Sequence, residues 1–120
     1  MILVVEDDED VREAMRLGLE SRGYTVKEAG NGFEALDVIR HEHPDLMILD
    51  LMMPKMNGWE VLEQMKQMHI DDVPVCVISA LSDRAPDDVT VLSKPFQLSD
   101  LVTVVERVCA PDPPSHEPRD

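Results

Sequence analysis

The chain has 120 residues, enough for one domain with a hydrophobic core and too few for two. Its hydrophobic content of 43% is ordinary for a globular protein, so we do not expect disorder along the whole length. The 25 acidic residues outnumber the 11 basic ones, and the formal net charge of -14 repels nucleic acid phosphates and anionic membranes. We therefore expect no direct binding to nucleic acid or to a membrane, whereas metal cations and partners with basic faces are favoured.

Short apolar runs alternate along the chain with segments in which apolar residues recur at helical spacing. The apolar runs predict five strands. The helical spacing predicts a helix after each of the first three strands and another at the end of the domain. The predicted strands cover residues 2–5, 24–29, 46–49, 73–79 and 89–92.

The predicted helices are recognised by their ends and by their apolar positions. Gly23 stops the first helix, an Asn31-Gly32 turn precedes the second, and Asn57 caps the third. The last helix runs from about Gln97 to Val108. The apolar positions that mark the first two helices are Val11, Ala14, Met15, Gly18 and Leu19, then Phe33, Leu36 and Ile39. The apolar positions expected to face inward on the last two helices are Val61, Leu62, Met65 and Met68, then Leu98, Leu101, Val102, Val105 and Val108.

Strands that alternate with helices predict an α/β domain with a parallel sheet covered on both faces. The third strand is continuously apolar, as expected of a strand buried on both faces. From Ala110 onward the chain is rich in proline, with four prolines among its last ten residues. We therefore expect a domain over residues 1–109 and a flexible tail or linker over residues 110–120.

Charged and polar residues follow several of the predicted strands, where each strand ends. Ligands of parallel α/β sheets bind beyond the carboxyl ends of the strands, so these positions are the candidates for a functional site. The residues are Glu6 and Asp7 after the first strand, Asp50 at the end of the third, Ser79 at the end of the fourth and Lys94 after the fifth.

Three of these residues are carboxylates, namely Glu6, Asp7 and Asp50. Two unit charges about 4 Å apart repel by roughly 4 kcal/mol at an effective dielectric of about 20, so the group is costly without a cation. Oxygen ligands suit Mg²⁺, and the sequence contains no cluster of His or Cys for a transition metal. Asp7 and Asp50 each end an apolar run, where an unpaired charge is expensive. The neighbouring acidic residues 8–10 are interpreted more simply, as the favourable N-terminal charge of the first helix.

A carboxylate beside Mg²⁺ can attack phosphorus and form an acyl phosphate. The phosphoryl oxygens then need a cation and hydrogen-bond donors in place. Lys94 and Ser79 supply these groups from neighbouring strand ends, so the candidate nucleophile is Asp50.

Five sequence blocks, in this order, resemble the signature blocks of bacterial receiver domains of two-component response regulators. The blocks are residues 2–8 (ILVVEDD), 49–54 (LDLMMP), 57–58 (NG), 78–80 (ISA) and 94–96 (KPF). The resemblance covers about residues 2–109. It implies a flavodoxin-like, doubly wound, five-stranded parallel sheet of order 2-1-3-4-5, with residues 1–109 forming the receiver domain.

The resemblance also implies roles for the residues at the strand ends. Asp50 would accept a phosphoryl group from a phosphohistidine on a sensor histidine kinase or a phosphotransfer protein. Asp7 would bind Mg²⁺ directly and Glu6 chiefly through water, with Asp50 and the backbone carbonyl of Met52 as further ligands. Ser79 would be the switch hydroxyl.

Further family positions lie around this centre. Lys94 would pair with phosphoryl oxygens, and its bond to Pro95 would be cis. Pro54 and Gly58 would shape the loop after the acceptor, and the small Ala80 would leave the acceptor accessible. The implied protein is a signalling switch that catalyses only its own phosphorylation and dephosphorylation, passes its signal to an unidentified protein target and is a monomer or a weak dimer.

Two features depart from the family pattern. Lys94 lies only 15 positions after Ser79, which is short of the family spacing by roughly two helical turns. Residues 81–88 lack a helical apolar pattern, so we expect the family's fourth helix to be reduced or absent. Val91 stands where the family usually has an aromatic switch residue. Both departures favour one alternative, a receiver-like interaction module that works without phosphorylation.

A second alternative is a Mg²⁺-dependent phosphatase or phosphotransferase with an aspartyl-phosphate intermediate. Such enzymes need a second acidic residue two places after the nucleophile, where this chain has Met52. The start of the sequence shows no signal peptide, and Cys76 and Cys109 are interpreted as reduced thiols. We therefore expect a cytoplasmic protein.

Overall fold

A computed structural model describes residues 1–80 and 89–109 of the protein. Over these residues, five parallel strands form one sheet in the order β2-β1-β3-β4-β5, which confirms the predicted fold. The elements are β1 (Ile2–Val5), α1 (Glu9–Glu20), β2 (Val26–Ala29), α2 (Gly32–Glu42), β3 (Leu46–Asp50), α3 (Gly58–Gln67), β4 (Val75–Ser79), β5 (Thr90–Ser93) and α4 (Leu98–Val108). The predicted loss of a helix at residues 81–88 and the predicted tail at 110–120 lie outside the described residues.

The two central strands, β1 and β3, are buried along their whole length. Successive side chains of a strand point to opposite faces, so each strand contributes to two cores. On one face Ile2, Val4 and Ile48 pack with residues of α1 and α4. On the other face Leu3 and Val5 pack with residues of α2 and α3. The sheet is therefore covered on both sides, as its continuous apolar strands predict.

Side-chain caps determine where three of the helices begin. The carboxylate of Asp8 accepts hydrogen bonds from the backbone N–H groups of Asp10 (3.0 Å) and Val11 (3.2 Å) at the start of α1. Asn57 caps α3, with its side chain and that of Glu60 forming a reciprocal capping box. The simple interpretation of the acidic residues 8–10 as a helix N-terminus is therefore confirmed for Asp8.

Several local predictions were wrong. Asn31 and Gly32 do not form a separate turn, because Asn31 is the N-cap of α2 and Gly32 is its first residue. Phe33 lies in α2, as predicted, but its side chain is 58% exposed, and Ala35 is buried. Leu98 and Val108 are also exposed, since they lie at the two ends of α4, where fewer neighbours surround a side chain.

In α4 the buried residue that the sequence prediction omitted is Val104. It joins Leu101, Val102 and Val105 against the sheet face shared with α1. Neither Cys76 nor Cys109 takes part in a disulfide. In the described part of the chain, no helix combines the length and the apolar character that a membrane span requires.

Gly58 is expected to be essential for the junction between β3 and α3. A Cβ atom at this position would lie 2.7 Å from the backbone oxygen of Asp50 and 2.7 Å from the Cα of Leu51. The neighbouring atoms are backbone and cannot rotate away, so Gly58→Ala should reduce the free energy of unfolding by about 1–3 kcal/mol. Urea denaturation measures the change.

Gly18→Ala is the matched control. The three atoms nearest to a Cβ atom at Gly18 would all belong to the side chain of Leu98, which is exposed and can move aside. Alanine has a higher helix propensity than glycine, by about 1 kcal/mol, and this gain in stability offsets the remaining steric crowding. Equal stability losses in the two variants would contradict the special role of the backbone contact at Gly58.

Candidate functional site

The predicted site residues of four adjacent strands, β1, β3, β4 and β5, meet at one edge of the sheet. Asp50 is the last residue of β3 and Ser79 is the last residue of β4. Lys94 directly follows β5, and its backbone N–H donates to the backbone oxygen of Ser79 at 3.0 Å. Glu6 follows β1, which is hydrogen-bonded to β3. The parallel register therefore brings together side chains that are far apart in the sequence.

Burial distinguishes the carboxylates of this cluster. Glu6 is 1% exposed and Asp50 is 3% exposed, whereas Asp7 is on the surface. The expectation that Asp7 ends a buried run was therefore wrong, because Glu6 occupies that position. One carboxylate oxygen from each of Glu6, Asp7 and Asp50 nevertheless lies within 4.8 Å of the others.

The ammonium group of Lys94 connects the two buried carboxylates. Its Nζ donates to Oε1 of Glu6 at 3.0 Å and to Oδ2 of Asp50 at 3.2 Å. Burying a carboxylate without a partner is expensive, and these contacts offset that cost for both acids. Ser79, also fully buried, lies between the strands that carry Asp50 and Lys94.

Burial and the neighbouring charges shift two acid–base equilibria. Burial raises the pKa of Glu6 to about 7, and the charge of Asp50 adds to this rise, while the hydrogen bond from Lys94 opposes it. Burial alone would lower the pKa of Lys94, but its hydrogen bond to Glu6 and the charge of Asp50 outweigh this and raise it. Lys94 is therefore a permanent cation of the site, whereas Glu6 changes charge near neutral pH.

Backbone groups of the loop after β3 orient the Asp50 carboxylate. The N–H of Met52 donates to Oδ1 of Asp50 at 3.0 Å, so each carboxylate oxygen has its own donor. The N–H of Leu51 bonds the backbone oxygen of Ile78, and the N–H of Gly58 bonds that of Leu51. The loop is therefore fixed at both of its ends.

Other predicted positions lie around the cluster. The side chains of Met52 and Pro54 are exposed in the loop after β3, and Ala80 is exposed directly after β4. The Lys94-Pro95 peptide bond is cis, the isomer that the resemblance implies.

The sequence reasoning missed Arg12, a residue of α1. Its Nη1 donates to the backbone oxygen of Glu6 at 2.8 Å, and its Nε donates to Oε1 of Glu28 at 2.9 Å. A single arginine in an amphipathic helix carries no sequence signal of such a contact. The alternating strand pattern places Glu28 in β2, but the pattern does not say that its carboxylate meets Arg12.

The donor set of the cluster fits a hard divalent cation. When its three carboxylates are ionised, the single ammonium of Lys94 leaves two negative charges uncompensated. The donors are oxygens, which Mg²⁺ prefers. One ligand, Asp7, is exposed and leaves room for the water molecules that Mg²⁺ usually retains.

Comparisons with known proteins agree with the fold. The sequence profile of the response regulator receiver domain family matches residues 2–106. Response regulator MprA of Mycobacterium avium (strain 104) is 42% identical over 110 residues, covering 84% of this chain and 47% of MprA. MprA of Mycobacterium ulcerans (strain Agy99) is also 42% identical, with 84% of this chain and 46% of that protein covered. The chain thus spans about half the length of these curated relatives.

Solved structures show the same architecture. The response regulator TrrA of Thermotoga maritima, in complex with Mg(2+)-BeF, is 31% identical with a TM-score of 0.79, and the match covers 90% of this chain and 97% of TrrA. The receiver domain of the hybrid histidine kinase CckA is 34% identical with a TM-score of 0.77, covering 88% of this chain and 95% of that domain. The chain therefore belongs to the response regulator receiver domain family of two-component signalling proteins.

Proposed function

We propose that this domain is a phosphorylation switch that accepts a phosphoryl group on Asp50 with the help of Mg²⁺. The observation that carries the proposal is the buried carboxylate of Asp50, held between the Met52 amide and the Lys94 ammonium. The carboxylates of Glu6 and Asp7 lie beside it. A carboxylate with a purely structural role would need only a counter-charge. The carboxylate of Asp50 also has further oxygen ligands for a cation close to it.

Glu6, Asp7, Asp50 and the backbone carbonyl of Met52 are the residues that would hold Mg²⁺. The ion supplies neutralisation of the negative charge that accumulates between the carboxylates and a phosphoryl group. Its presence in the related TrrA structure supports this assignment for the present chain.

In the proposed reaction, an oxygen of Asp50 attacks the phosphorus atom of a phosphohistidine. A new O–P bond forms while the P–N bond breaks, and the leaving imidazole takes up a proton from water. Lys94 neutralises one phosphoryl oxygen, and the hydroxyl of Ser79 donates a hydrogen bond to another. Hydrolysis of the acyl phosphate returns Asp50 to its starting state, so the protein catalyses only its own phosphorylation and dephosphorylation.

The proposed partners are proteins. A sensor histidine kinase or a phosphotransfer protein would donate the phosphoryl group, and an unidentified protein target would receive the signal. An apolar groove of about 520 Å³ adjoins Lys94, between α1 and the segment leading into α4. Val11, Met15 and Phe96 line it. The groove offers a protein surface beside the acceptor. We place the phosphoryl transfer in the cytoplasm. The domain would act as a monomer or weak dimer and would not itself contact nucleic acid.

Acetyl phosphate provides the direct test of the acceptor. With Mg²⁺, intact mass spectrometry should show a single phosphate adduct on the wild type, and chelation of the metal should prevent it. Asp50→Asn should abolish the adduct, whereas Asp10→Asn, an exposed acid of α1, should retain it. No adduct with acetyl phosphate, phosphoramidate or a panel of kinases would instead favour the module that works without phosphorylation.

The pKa of Glu6 predicts how cation binding depends on pH. Burial raises this pKa to about 7, so below pH 7 a proton occupies Glu6 and must leave when a cation binds. Mg²⁺ affinity should therefore fall by about tenfold between pH 8 and pH 6. Calorimetry in two buffers of different ionisation enthalpy measures the affinity and the proton released.

Two variants make the pH prediction specific. Glu6→Gln removes the titrating group and should flatten the pH dependence of Mg²⁺ affinity between pH 6 and pH 8. Glu63→Gln removes an acid from the exposed surface of α3 and should leave it unchanged. A wild-type affinity that does not change between pH 6 and pH 8 would contradict the assignment of Glu6.

Met52 predicts a long-lived acyl phosphate. Its side chain is 52% exposed beside the acceptor, and a thioether cannot orient water as an amide can. Met52→Asn should accelerate hydrolysis several-fold, as measured by decay of the phosphate adduct. Leu17→Asn adds the same amide at an equally exposed position on α1 and should not change the rate. An unchanged rate in Met52→Asn would refute this role.

A further inference from the structure

We propose that Arg12 is a positioning residue for the cation site and that it acts through the backbone of Glu6. Nη1 of Arg12 donates to the backbone oxygen of Glu6 at 2.8 Å. Nε of the same guanidinium donates to Oε1 of Glu28 at 2.9 Å. One rigid, planar group thus connects β2 to the turn that carries Glu6 and Asp7. The inference rests on the proposed function, since it concerns the same cation site.

The location of Glu6 explains why the turn needs such a contact. The N–H of Glu6 still bonds the backbone oxygen of Ala29 at 3.1 Å, which continues the pairing of β1 with β2 by one residue. The oxygen of Glu6 points to Arg12 instead of to a neighbouring strand. Beyond it, Asp7 and the cap Asp8 lead into α1. Arg12 therefore holds the chain at the point where it leaves the sheet.

The surroundings of the guanidinium restrict it to this position. The side chain of Arg12 is only 16% exposed. A Cβ atom at Gly30 would lie 3.1 Å from its Nη1, so the absence of a side chain at Gly30 leaves space for the group. Oε2, the other oxygen of the Glu28 carboxylate, lies 2.6 Å from Nε of Arg16 in an ion pair that does not involve Arg12. The order of contacts is Glu28, then Arg12, then the Glu6 backbone.

The charge of Arg12 and its hydrogen bond to Glu6 predict opposite changes in Mg²⁺ affinity when Arg12 is replaced. The two effects can therefore be distinguished by experiment. A positive guanidinium near three carboxylates repels an incoming cation, so its loss through charge alone should strengthen Mg²⁺ binding. Loss of the hydrogen bond to Glu6 should weaken binding, because groups that orient metal ligands typically contribute about tenfold or more to affinity. The sign of the change decides which effect dominates.

The experiment compares three variants of the full chain in Mg²⁺ calorimetry and in acetyl phosphate labelling. Arg12→Met removes both hydrogen bonds and the charge. Arg12→Lys keeps the charge but lacks the planar fork that reaches Glu28 and Glu6 together. Arg16→Met is the matched control, because Arg16 lies on the same helix and pairs with the same Glu28 but has its remaining ion pairs with Glu13 and Glu20.

We expect Arg12→Met and Arg12→Lys to weaken Mg²⁺ binding by roughly tenfold, with Arg16→Met unchanged. Saturating Mg²⁺ should restore the labelling rate of the Arg12 variants toward the wild-type value. Because bound Mg²⁺ also stabilises the folded state, urea denaturation at the same Mg²⁺ concentrations separates this recovery from a general loss of stability. If Arg12→Met does not fold, as judged by urea denaturation, the charge-conserving Arg12→Lys decides the outcome by the same criteria.

Unchanged or tighter Mg²⁺ binding in the folded Arg12 variants would overturn the positioning role, as would an equal loss in Arg16→Met. In those cases wild-type labelling that depends on Asp50 would leave the proposed function intact. A wild type that neither binds Mg²⁺ nor becomes labelled would overturn the proposed function and the role of Arg12 with it.

Discussion

The contact of Lys94 with two buried carboxylates is the interaction on which the rest of the site depends. Each buried carboxylate costs several kcal/mol in lost hydration, and only a close cation with good geometry offsets that cost. From the end of β5, the Nζ atom of Lys94 lies 3.0 Å from Glu6 and 3.2 Å from Asp50. Because β5 is separated from β3 by β4, the backbones of Lys94 and Asp50 lie about two strand spacings, or about 10 Å, apart. The lysine must therefore cross the end of β4, where the chain has the small residues Ser79 and Ala80.

The apolar sheet makes this arrangement rigid. β1 and β3 are buried on both faces, and their register aligns Val5 with Leu49, so Glu6 and Asp50 follow at the same level. A slip of one residue would change which side chains meet in each of the two cores, and close-packed cores do not accommodate such a change. The backbone bond between Gly58 and Leu51 then fixes the loop after Asp50 from the other side. Asp50 is thus held by the main chain of two neighbouring elements.

Much of this architecture could be predicted from the sequence because it depends on local patterns. Apolar runs predicted the strands, Asn57 predicted the start of α3, and the positions after the runs predicted the edge at which the polar residues meet. Contacts between distant residues could not be predicted in the same way. Lys94 and Glu6 are 88 positions apart, and nothing in the sequence shows that this lysine bonds Glu6 as well as Asp50. The burial of Glu6 instead of Asp7 follows from where β1 leaves the sheet, a detail that an apolar run does not define.

Lys94 neutralises the three carboxylates of the site only in part, and this incomplete neutralisation suits the site to binding a cation. Lys94 compensates one of the three negative charges, and the raised pKa of Glu6 shows that a proton relieves part of the remainder near neutral pH. A fully compensated cluster would be stable but would have no electrostatic reason to take up a cation. A cluster without Lys94 would leave Asp50 buried beside Glu6 with no counter-charge. One lysine among three carboxylates therefore offsets the burial of Asp50 and leaves two negative charges, which a divalent cation can balance.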